Sequence, residues 1–144
     1  MYRKILLAYD GSTFSTAALK QSAELAEVCK AELHLLSIAV TSGGMAIAEA
    51  AGAQDVCGQG EKELERLVAS AVEELRGQRL TVITCIRYGD PAGEIAAYAN
   101  QIKADLVVLG YAHRGILARW FQGSVSAKLL DHLPCSLLVA TGTD

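Results

Sequence analysis

The stretch LTVITCIRYGDPAGEIAAYANQIKADLVVLG, residues 80–110, decides the fold. It opens on an apolar run rich in β-branched residues, LTVITCIRYG, which reads as a strand. Asp90-Pro91 follows. A short carboxylate caps the free N–H groups of a helix start, and proline suits the first helical position. Ile95, Ala99 and Ile102 then recur at helical spacing and mark an inward face. A second apolar run, ADLVVLG, ends the stretch. Strand, helix and strand in that order predict a crossover unit in a parallel sheet.

The same alternation extends to both ends of the chain. Upstream, ILLAY at 5–9 reads as a buried strand that stops at Asp10-Gly11-Ser12. A helix is expected from about Thr16 to Lys30, with Ala18, Leu25, Ala26 and Cys29 at helical spacing. LHLLSIAV is the second strand. Residues 61–76 carry Leu64, Leu67, Val68, Ala71, Val72 and Leu75 on one face, with Gly77 as the stop. Downstream, VSAKLLDHL predicts a helix ending before Pro134, and CSLLVA a last strand. Residues 41–60, rich in Gly and Ala, read as either an irregular connection or one with a short helix around 45–51. The order βαβαβαβαβ, with strands apolar throughout, predicts a five-stranded parallel sheet covered on both faces. This is an open, doubly wound, Rossmann-like α/β fold, expected as one domain over 1–144. Functional residues are then expected just after strands, at Asp10, Ala39, Tyr88 to Asp90, and Gly110 onward.

Composition narrows the function. Apolar residues make up 51% of the chain and charged ones 20%, which favours a packed core over disorder. The net charge of −3 argues against nonspecific nucleic-acid binding. No apolar run has the length of a membrane span and no secretory leader is visible, so the expected location is cytoplasmic. Cys29, Cys57, Cys85 and Cys135 form no C-x-x-C pair and read as small buried hydrophobes, with Cys57 the most accessible. His34 and His132 read as structural.

The segment GYAHRGILARWFQGSV, 110–125, carries the chemistry. GYAHRG has the glycine spacing of a Walker A loop, but Ile116 and Leu117 stand where that loop needs Lys and Ser or Thr. No G-x-G-x-x-G follows any strand. What remains is Gly110 after a strand, then Gly123-Ser124 opening a helix. Free N–H groups, a partial positive charge and a hydroxyl there suit an anion. Arg114, Arg119 and Lys128 surround it, with no acidic residue between Leu106 and Leu130. Ser124 also reads simply as a helix cap. Trp120 and Phe121 read first as packing, and second as a lid or partner surface.

Together KILLAYDGS, GDPAGEI, ADLVVLG, the glycine loop and HLPCSLLVA resemble a single-domain universal stress protein over nearly the whole chain. The resemblance implies the adenine-nucleotide-hydrolase-like variant of the doubly wound fold. The ATP-binding branch of that family carries G-x-x-G, nine residues, then G-S or G-T. Gly110, RGILARWFQ and Gly123-Ser124 fit it, but His113 stands where the second glycine belongs. A second branch lacks the loop and does not bind ATP.

The resemblance implies that Asp10 lies near the adenosine and that Ala8 and Ile38 line the adenine pocket. Gly110 would approach the ribose or α-phosphate, and Gly123, Ser124 and Val125 would hold the outer phosphates. It also implies a homodimer joined through the last strand. An imidazole at 113 blocks the closest backbone approach to a phosphate, yet with Arg114 it offers side-chain donors instead. Either the two side chains take over that role or they point into water. No catalytic constellation stands out. A slow ATPase with Mg²⁺ on Asp10 or Asp90 is one alternative. A stress protein acting through protein partners with an empty pocket is the other.

Overall fold

The computed structural model describes residues 1–11, 13–39, 54–111 and 129–141, without the side chains of 13, 14, 54–61, 111 and 141. In chain order the elements are β1 (Lys4–Ala8), α1 (Thr13–Cys29), β2 (Glu32–Ala39), α2 (Gln54–Glu74), β3 (Thr81–Tyr88), α3 (Pro91–Ile102), β4 (Leu106–Tyr111) and β5 (Ser136–Thr141). Residues 129–132 are helical and lead towards β5. Among the described residues the strands form one five-stranded parallel sheet in the order β3-β2-β1-β4-β5. This is the open doubly wound α/β sheet that the sequence predicts.

β1 occupies the centre. Ala8 at its end pairs with Leu36 of β2 on one side and with Leu109 of β4 on the other. Ile5, Leu7 and Tyr9 point to one face, where Ala18, Leu19, Ala23 and Ala26 of α1, Ala71 of α2 and Leu75 just past its end cover them. Leu6 and Ala8 point to the opposite face, against Ile95, Tyr98 and Ala99 of α3 and Leu129. A central strand with helices on both faces must be apolar at every position, which is why KILLA shows no alternation. Fully burying each of its leucines and its isoleucine is worth roughly 1.5–3 kcal/mol. The alanines of α1 let that helix approach the sheet closely. Ser22 on the same helix is fully buried, and its hydroxyl has no hydrogen-bond partner among the described residues.

Local signals around α3 act as expected. Asp90 Oδ2 accepts the Gly93 N–H at 2.9 Å, and Pro91 occupies the first turn. Lys103 closes the helix in the left-handed conformation, its N–H donating to the carbonyls of Ala99 and Asn100. Gly77, with φ of +91°, lies just past the end of α2. His34 is a satisfied core histidine. Its Nε2–H donates to Glu32 Oε2 at 3.1 Å, and its Nδ1 lies 3.3 Å from the Tyr98 hydroxyl.

Several boundaries differ from expectation. α1 starts at Thr13, before its apolar spacing begins at Thr16. α2 starts at Gln54 and ends at Glu74, so 54–60 is helical and the expected 61–76 is shifted. Gly58 and Gly60 each cost a helix about 1 kcal/mol, which hides that start in the sequence. The short helix around 45–51 lies outside the described residues. Not every strand is covered on both faces. β3 and β5 are the sheet edges, and Ile83, Tyr88, Leu138 and Val139 are exposed there. Cys29, Cys85 and Cys135 are free and half-buried against the core clusters, and the Cys57 side chain lies outside the described residues.

Candidate functional site

The strand order reverses between β1 and β4: the chain goes outward from β1 to β2 and β3, then returns to the other side. Helices leave in opposite directions there, and a crevice opens beyond the carboxyl ends of the strands. The residues around that point are held firmly. The Tyr9 N–H donates to the Leu36 carbonyl at 2.9 Å. The buried Ser37 hydroxyl donates to the Tyr9 carbonyl at 2.8 Å. The backbone leaving β1 is thus tied to β2 on both sides of Tyr9, and Asp10 departs from a fixed position. Gly11 then turns the chain with φ of +81°, a conformation that favours glycine.

Burial pushes the Tyr9 phenol above its ordinary value. A hydrogen bond with Thr16 opposes that rise, and the carboxylates of Glu74 and Asp10 reinforce it. Tyr9 therefore stays neutral. Asp10 is half-exposed beside it and engaged in contacts of its own.

Of the residues nominated from sequence, Ala8, Asp10, Ile38 and Gly110 are described. The structure gathers them at the carboxyl ends of three adjacent strands. Ala8 and Ile38 belong to one apolar cluster, on the α3 face of β1 and β2. Ala8 is fully buried and Ile38 nearly so. Gly110 is buried in β4, one residue past the Leu109 that pairs with Ala8, and itself pairs with Ala140 of β5. His113, Arg114, Gly123, Ser124 and Val125 lie outside the described residues, as do Trp120 and Phe121.

Asp90 has a fixed job as the cap of α3, one residue past Gly89, whose N–H donates to the Ala39 carbonyl. Among the described residues no group of three or more His, Cys, Asp or Glu side chains is placed to hold a metal ion.

Sequence reasoning missed two features of this end of the molecule. Ser37 lies inside an apolar run, and only its hydroxyl among leucines and isoleucine hinted at a structural hydrogen bond. The second is α2. Leu67 packs directly on Gly11: a Cβ placed there would lie 2.7 Å from Leu67 Cδ2. An open pocket of about 730 Å³, lined by Lys62, Glu63, Arg66, Leu67 and Ser70, lies along this part of α2. The signal for it was the pair of cations one helical turn apart.

The universal stress protein family matches this chain over residues 1–141. Universal stress protein YxiE of Bacillus subtilis is 30% identical over 148 residues, covering 96% of this chain and 99% of that protein. The solved structure of the protein MJ0577 superimposes with a TM-score of 0.81 at 22% identity, covering 100% of this chain and 99% of that one. A universal stress protein family member from Arabidopsis thaliana, solved with AMP bound, gives 0.70 at 17% identity, covering 98% and 92%.

Proposed function

Because the chain belongs to the universal stress protein family, we propose that it is a one-domain, cytoplasmic regulatory module that binds an adenine nucleotide, ATP foremost, and works as a homodimer. One observation carries the reading. Ala8 and Asp10, Ile38, and Gly110, from three separate stretches of the chain, converge on the carboxyl ends of β1, β2 and β4, where the strand order reverses. The AMP held by the Arabidopsis relative supports the ligand class. In this reading Ala8 and Ile38 line the adenine and Asp10 meets the adenosine. Gly110 lets the ribose or α-phosphate approach the backbone. Gly123, Ser124 and Val125 hold the outer phosphates, with His113 and Arg114 contributing side-chain donors in place of a glycine amide. Mg²⁺ is a companion of the phosphates only if Asp10 reaches them.

The dimer reading rests on β5. It is an edge strand, and Leu130, Leu138 and Val139 are exposed on or near it. An edge strand presents unpaired backbone groups to a second copy.

The experiment is to heat-denature purified protein, assay the supernatant for nucleotide, and titrate ATP, ADP, AMP and cyclic AMP against wild type and His113→Gly. Recovered ATP and submillimolar binding are expected. ADP or AMP released in place of ATP, with turnover in solution, would make the protein a slow ATPase. No nucleotide in either assay would favour the partner-binding stress protein, for which the departure at His113 is the motivating feature. Sedimentation of the same sample as a monomer would remove the dimer.

A further inference from the structure

A side chain ends the pairing of β1 with β2. Among the described residues the last register pair is Ala8 with Leu36, and the Tyr9 N–H closes it by donating to the Leu36 carbonyl at 2.9 Å. In a parallel ladder the N–H and carbonyl of one residue face the same neighbouring strand, and the sides alternate along the chain. Leu36 faces β1. Ala39, whose carbonyl takes the Gly89 N–H at 3.1 Å, faces β3. Ile38 therefore faces β1, and continued pairing would set its N–H on the Tyr9 carbonyl. That carbonyl accepts the Ser37 hydroxyl at 2.8 Å instead. Ser37 is fully buried, so the bond is shielded from water.

Gly11, with φ of +81°, then carries the chain away from β2. The Ile38 N–H is left outside the ladder, facing the gap between β1 and β2 at their carboxyl ends. Ile38 is only 7% exposed, and backbone donors in such places nearly always have a partner. The missing partner is an acceptor supplied by a ligand. We propose that Ser37 is a positioning residue: by occupying the Tyr9 carbonyl it ends the ladder early and reserves the Ile38 N–H for an acceptor on the edge of a planar ring. The proposal rests on the nucleotide reading for the identity of that ring, adenine. The early end of the ladder stands on the hydrogen bonds alone.

Removing the hydroxyl leaves the Tyr9 carbonyl without its donor, and the Ile38 N–H is the replacement that ladder geometry offers. The ladder then lengthens by one bond, and the ring loses its donor. The test uses the full chain as wild type, Ser37→Ala and Ser37→Thr. Amide hydrogen exchange is followed by NMR without ligand, and the rate at Ile38 is taken relative to Leu36, whose N–H lies within the ladder. Adenosine is then titrated against each protein; it has no phosphate, so the glycine loop does not enter the comparison.

Ser37→Ala should slow relative exchange at Ile38 and weaken adenosine by about twofold to tenfold, the net worth of one neutral hydrogen bond. A serine that only braces the strand predicts the opposite sign, because losing a buried bond loosens the strand locally and speeds exchange. Ser37→Thr keeps the hydroxyl and should match wild type in both readings. Relative exchange at Ile38 that is unchanged or faster in Ser37→Ala would overturn the proposal, as would slower exchange with adenosine affinity untouched. Slower exchange in a protein that binds no adenosine in any of the three forms would sustain the role of Ser37 at the strand end and remove adenine as the ligand.

Discussion

Replacing Gly11 by alanine perturbs the turn on which both the crevice and α2 depend. Two costs follow from the geometry. The first is conformational. Gly11 has φ of +81°, where an L-residue is strained by roughly 1–2 kcal/mol. The second is steric. The new Cβ would meet Leu67 Cδ2 at 2.7 Å, Cδ1 at 3.0 Å and Cγ at 3.3 Å. These atoms are the end of a flexible, half-buried side chain, which can turn aside. Forcing it some 30° from its rotamer costs about 0.5–1.5 kcal/mol.

The total is about 1.5–3.5 kcal/mol, or about 4–12 °C in Tm for a chain of this size. Urea unfolding of Gly11→Ala, Leu67→Ala and the double variant separates the two costs. Removing the leucine relieves the steric part and leaves the strain. The double variant should therefore be about 1 kcal/mol more stable than the sum of the single effects implies. Strict additivity would show that the Leu67 contact does not exist in solution. An unchanged midpoint for Gly11→Ala would refute the turn geometry as well.

Two further outcomes follow from the fold. Asp105 Oδ2 accepts the backbone N–H groups of Arg3 and Lys4 at 2.8 and 2.9 Å, and these bonds hold its carboxyl below the ordinary value. A depressed native pKa stabilises the fold above the unfolded value and ceases to do so as pH falls through the native one. Asp105→Asn should therefore cost about 1 kcal/mol at pH 7, a small figure because the site is half-exposed. The gap between variant and wild type in urea midpoint should close below about pH 4, and a gap that stayed constant to pH 2 would contradict the assignment. Ser22→Ala removes a fully buried hydroxyl that has no partner among the described residues. The variant should gain up to about 1 kcal/mol in the same assay, whereas a loss would mean that the hydroxyl is satisfied.

What the sequence revealed, and what it hid, divides along a physical line. Signals local to a few residues read correctly: the Asp90-Pro91 start, the Gly77 stop, and the short apolar runs that became β1, β2 and β4. Edge position is different. TVITCIRY of β3 and SLLVAT of β5 look as apolar as the centre of the sheet, because their place depends on strand order, which no local pattern records. The first turns of α2 were hidden by Gly58 and Gly60, whose low propensity the rest of the helix overrides. The candidate site shows the same split. Asp10 and Gly110 were visible as the residues where strands end. The nearness of α2 to the Asp10 turn was not, since it depends on Leu67 touching Gly11 across the fold.

The pairing of Ile5 with Leu106 also bears on how the molecule is made. A ribosome adds residues at about 5–20 per second, starting from the N-terminus. β1 can meet β2 early, but its other flank stays bare until β4 has been synthesised. A nascent chain cut short before Leu106 would therefore expose one side of the central, buried strand of the sheet. Premature termination gives a sticky fragment, not a smaller working protein, and quality control must recognise it as such.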